Sequence, residues 1–118
     1  YKLVVCLTEN NINNWQKDGD IDNDSYVHKH VLRSFLTPAF GEDLANEEIN
    51  NGDSFSNGFS PVISDLENYN IDYSQNTLTL GNGNAGDWDL NNMYVLAYIY
   101  DESSNEILQV EEKSLLNK

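Results

Sequence analysis

Cysteine is almost absent: Cys6 stands alone among 118 residues, so no disulfide can form within the chain and the fold needs a hydrophobic core of its own. At this length one domain can bury roughly two-thirds of its unfolded surface, which is enough without staples. Basic residues are scarce too. Six Lys and Arg face twenty Asp and Glu, a formal charge of -14, which repels nucleic acid and anionic membrane surfaces and leaves cationic or neutral partners. No apolar run approaches the length of a membrane-spanning helix and no charged-then-apolar export signal is present, so this domain is not expected to insert into a membrane. The chain opens at Tyr1 directly into an apolar run, the pattern of a domain cut from a longer precursor. Reaction signatures are missing as well: there is no CxxC, no GxSxG and no phosphate-cradling GxxxxGK[ST].

What is there begins with Tyr26 to Leu36, YVHKHVLRSFL, the longest stretch to combine apolar residues, aromatics and both histidines without a breaker. Helical spacing would group Val27, Val31 and Phe35 with Leu32, but aromatic and β-branched enrichment, and Pro38 just beyond, favour one strand. Alternation then sets Tyr26, His28 and His30 on one face. Tyr1 to Thr8 is apolar on both faces and reads as a central strand containing Cys6 as a small core residue. Glu9 to Ser25 is polar without periodicity and reads as a long loop. Thr37 to Leu44 is a turn, and Ala45 to Gly58 a second excursion.

Phe59 to Leu66 reads as a short strand started by Pro61, and Asn70 to Leu80 as a hairpin or bulged strand. Gly81 to Asn92 is a loop. Met93 to Tyr100 and Glu106 to Lys113, joined by Asp101 to Asn105, make a closing hairpin. Six or seven strands with no amphipathic helix predict an all-β fold, a two-sheet sandwich of immunoglobulin-like architecture in a single domain, 1–118.

Four carboxylates, Asp18, Asp20, Asp22 and Asp24, recur at alternate positions, a spacing that can turn oxygens toward a hard cation, so calcium could order the loop. Lys29 stands where a helix-loop-helix calcium site requires a bidentate Glu, and a solvated acidic turn is the plainer reading. His28 and His30, two apart on a strand, project their rings together and could hold zinc for hydrolysis if a third ligand such as Glu9 or Glu42 joined them; histidines satisfied by backbone or carboxylate are the simpler alternative. Trp15 and Trp88 are candidate stacking platforms for a sugar ring or a protein, Trp88 being the readier plug for an end of the sandwich. Asn23-Asp24-Ser25 matches the glycosylation pattern.

The order of YVHKHVLR at Tyr26 to Arg33, Gly41-Glu42, Trp88, VLAYIYD at Val95 to Asp101 and EILQVEE at Glu106 to Glu112 resembles the carboxy-terminal module of the twenty-eight-kilodalton outer membrane protein family of Bacteroidetes. The resemblance implies an exported lipoprotein at the bacterial cell surface or outer membrane, whose β module, often following a thioredoxin-like domain, is a non-enzymatic binding or structural unit. Its partners would be a protein or glycan at the cell surface and the upstream domain of the same polypeptide. On that view Tyr26, His28, His30, Arg33 and Glu42 form a structural signature in which Arg33 pairs with Glu42 across the Gly41 turn.

Overall fold

A computed structural model describes residues 1–45, 48–78 and 83–116, with the side chains of Asp18 and Ile21 outside the description. The fold is all-β, with seven strands in two antiparallel sheets and one α-helix among the described residues. β1 (Lys2–Glu9) is the central strand of the larger, five-stranded sheet. On one side it pairs with β5 (Glu42–Asp43) at its start and β4 (Val31–Phe35) at its end; on the other lies β6 (Met93–Asp101), followed by β7 (Glu106–Ser114). The double-sided apolar pattern of β1 has its reason here: neighbours on both sides leave six consecutive residues, Val4 to Glu9, buried.

One face of the sheet carries Leu3, Val5, Leu7 and Glu9, with Leu7 opposite Val95 and Glu9 opposite Met93 on β6. Leu7, Met93 and Trp88 form the core there, packed by Leu36, Leu90 and the helix residues Ile63 and Leu66. The other face presents Val4, Cys6 and Thr8 beside Tyr98, Leu96 and Tyr94.

The second sheet is a hairpin of β2 (Ile12–Asp18) and β3 (Ile21–His28). This corrects the reading of Glu9 to Ser25 as a loop. Most of the ribbon is exposed on both faces, so nothing in its sequence had to alternate. Gly19 takes φ 63 in the two-residue turn, where a side chain would be strained.

The expected continuous strand through Tyr26 to Leu36 is also corrected. It is cut at Lys29 and His30, where His30 adopts φ 54, and its two halves belong to different sheets. The outgoing crossing at Asn11 has φ 64, and the two crossings are tied by the His30 N–H donating to Asn10 Oδ1 at 2.7 Å.

A third correction concerns the stretch expected as a short strand at Phe59 to Leu66 and a hairpin or bulged strand at Asn70 to Leu80. It contains α1 (Ile63–Asn76), which begins two residues after Pro61 and has Asp65 in its first turn, favourable to the helix dipole. Its inward side is Ile63, Leu66, Glu67, Asn70, Ile71 and Ser74, a helical stripe that is half polar. That composition hid the 3.6-residue period. Thr79 and Leu80, at the end of the expected hairpin, and Gly81 and Asn82, at the head of the expected loop, lie outside the described residues, as do Asn46 and Glu47 within the second excursion. The closing hairpin stands as expected, lengthened by a residue at the end of each strand.

Candidate functional site

Arg33 lies on β4 with its guanidinium buried. Its Nε donates to Glu9 Oε1 at 3.1 Å, the two side chains being only 7 % and 5 % exposed, and Nη1 donates to the Asn84 carbonyl. The Trp88 ring sits 5.7 Å from the guanidinium carbon, within cation–π range. Glu9 completes its own set by accepting from the Asp89 N–H at 3.3 Å. From the helix, Asn70 Nδ2 donates to the Arg33 carbonyl, and Glu67 accepts from the Trp88 N–H. One buried ion pair thus collects β1, β4, α1 and the 84–89 segment. The expected Arg33–Glu42 pairing is corrected: the buried partner is Glu9, which shares a face with Leu3, Val5 and Leu7, while Glu42 accepts from Asn57 Nδ2.

The two histidines are not brought together on one face. His28 Nε2 lies 3.1 Å from the Trp15 carbonyl and its ring meets Tyr26 edge-on at 4.9 Å; His30, beyond the break, has Nδ1 3.6 Å from Glu112. Neither expected third zinc ligand stands with them, because Glu9 belongs to Arg33 and Glu42 to Asn57. Asp20 sits in the hairpin turn, and Asp22 and Asp24 on the extended β3. The expected acidic loop is instead the turn and flanking strands of the hairpin, and a strand spaces alternate residues by about 7 Å. Asp24 accepts the Ser25 hydroxyl, and the Asp18 side chain lies outside the described residues. Among those residues, no three His, Cys, Asp or Glu gather at a possible metal site.

Trp15 is 56 % exposed on β2. Trp88, at 8 %, is core. Its indole N–H donates to the Ala85 carbonyl at 2.9 Å, so it serves as a plug and presents no free ring. Cys6 is buried, and burial pushes its thiol above the ordinary range, away from a nucleophilic thiolate.

A roomier hollow than the groove beside Trp15 lies elsewhere. A cavity of about 740 Å³ opens between the start of the five-stranded sheet and the segment 49–57. Leu3, Ile99 and Leu108 supply apolar lining from the sheet, Ile49 and Phe55 from the segment, and Tyr1 a second aromatic ring. Glu42, Asp43 and Asp53 contribute carboxylates, and Asn50, Asn51, Asn57 and Gln109 amides; no Lys or Arg is in the lining among the described residues. The Asn57–Glu42 bond ties the segment to β5, and the Asn50 N–H donating to Asp53 Oδ2 at 2.7 Å closes its turn. Lys2, 2.7 Å from Asp43, holds that carboxyl below its usual range, so it stays ionised. Sequence reasoning missed this site because its wall is a turn-forming excursion with only Ile49 and Phe55 to mark it.

No family model matches the chain, and neither does any curated protein or solved structure.

Proposed function

We propose that the chain is a non-catalytic binding module of an exported bacterial surface protein, taking a neutral, hydroxyl-rich ligand such as a surface glycan in the cavity beside residues 49–57. The cavity carries this reading. Its volume falls in the range that encloses a small ligand, it offers Tyr1 and Phe55 for ring contacts, and its amides and carboxylates can donate to and accept from hydroxyls. Asp43 is balanced by Lys2, but Glu42 and Asp53 have no Lys or Arg beside them among the described lining residues, which disfavours an acidic ligand. The non-catalytic part is supported by the engagement of the groups that chemistry would need: Glu9 with Arg33, His28 against a carbonyl, Cys6 in the sheet interior. Surface location in an outer-membrane lipoprotein of a Bacteroidetes organism is supported by the order of motifs from Tyr26 to Glu112.

The test is an array of neutral and acidic bacterial and host glycans probed with the chain and with Phe55→Ala. Phe55 is half exposed, so its truncation should leave the fold standing. Retention of a neutral glycan, weakened at least tenfold in Phe55→Ala, is the expected result. Retention that Phe55→Ala does not change, or that favours acidic glycans, contradicts the assignment.

A further inference from the structure

We propose that the outer edge of β7, next to the cavity that Leu108 and Gln109 help to line, is a second docking surface, which takes an extended basic segment of a partner protein as an added strand. β7 runs for nine residues, all of them exposed, and pairs only with β6 among the described residues. About half of its backbone N–H and C=O groups therefore point outward without a strand to receive them. Sheets ordinarily blunt such an edge by making it short, by placing proline in it, or by studding it with charge, lysine above all; the charge on β7, Glu106, Glu111 and Glu112 against Lys113, is mostly of one sign, which leaves the edge open to a cationic strand. β7 has full length, no proline and one lysine, Lys113. A register shift between Ile99 and Tyr100 irregularises the turn end, but pairing is unbroken from Gln109 to Ser114.

The side chains specify the occupant. Ile107 and Val110 are each about half exposed, apolar surface that an added strand would cover. Val110 and Glu112 stand opposite Tyr98 and Leu96, while Glu111 stands opposite Ala97 on the other face. Adjacent carboxylates at Glu111 and Glu112 thus flank the edge on both sides of the sheet. A strand laid there meets negative charge whichever way its central residues point. A second copy of this chain, itself at -14, is repelled; a segment with adjacent Lys or Arg among β-branched residues is attracted, and main-chain bonding supplies the rest.

The probe is a fluorescein-labelled nine-residue peptide of alternating valine and threonine with two adjacent central lysines, titrated with the chain and followed by anisotropy. Controls replace the lysines by glutamates, or methylate alternate backbone nitrogens. The expected result is saturable binding of the lysine peptide, at least tenfold weaker for the glutamate peptide and for the Glu111→Lys, Glu112→Lys double variant, and lost on methylation of one of the two peptide edges. Glu111 is exposed and Glu112, 3.6 Å from His30 Nδ1, lies at the surface, so the variant should fold, which circular dichroism checks. No binding at millimolar peptide overturns the proposal, as does equal binding of every methylated peptide, which would mean charge adhesion without strand pairing. A dimer in analytical ultracentrifugation that the double variant changes would make a second copy the occupant, and overturns it too.

Discussion

Breaking the Glu9–Arg33 pair from either side leaves one charge buried without its partner, a change that ordinarily costs about 3–5 kcal/mol. Arg33→Ala should therefore lower the unfolding free energy by that order in urea denaturation, whereas Glu42→Ala, which removes an acceptor from an exposed amide, should cost far less. Equal losses would restore the Arg33–Glu42 pairing that the motif order implied. Gly41 is a second sensitive position: at φ 85, an added Cβ would lie 2.8 Å from the Leu3 carbonyl oxygen. Gly41→Ala should cost about 1–3 kcal/mol from backbone strain alone, with the close contact adding to it. At Asp101, bonds from the Ser103 hydroxyl and N–H hold the carboxyl below its ordinary value. A depressed folded pKa contributes stability above the unfolded value, near 4, and loses it as pH falls through the folded one. In Ser103→Ala the Asp101 titration midpoint, read by carboxyl-carbon NMR, should rise toward that of an ordinary aspartate, and an unmoved midpoint contradicts the assignment.

At the scale of elements, what the sequence discloses depends on how much each element buries. β1 and β6 are legible because Leu3, Val5, Leu7 and Val95 had a core to fill, whereas β7, exposed throughout, is legible through its apolar run and the short turn that joins it to β6. The ribbon of β2 and β3 is not, because a strand pair exposed on both sides imposes no alternation. The break at His30 is invisible because a single left-handed residue leaves no trace in composition when it is not glycine. Helix α1 hides for a different reason: Glu67, Asn70 and Ser74 occupy its inward stripe, and two of them serve as hydrogen-bond partners for Trp88 and Arg33. Asn70→Leu tests that role. It raises hydropathy on the buried side yet strands the Arg33 carbonyl, so destabilisation of about 1–3 kcal/mol is expected; a gain in stability would mean the stripe is ordinary packing.

For the whole molecule, the buried pair and the core fix the sheet, and the sheet supplies one wall of the cavity. Among the site residues anticipated from sequence, Arg33 and Trp88 proved to be framework, and Trp15 an exposed ring on the ribbon. The cavity had no signal strong enough to reveal it, since its carboxylates and amides look the same in sequence whether they line a hollow or face open solvent. The most direct measurement is a two-dimensional amide NMR titration with the neutral glycan that the array selects. The account predicts shifts at Leu3, Asp43, Phe55 and Ile99, saturating together, with the glycan recovered unchanged. Shifts clustered at Trp15 and the β2–β3 ribbon instead, or cleavage of the glycan during the titration, would contradict it.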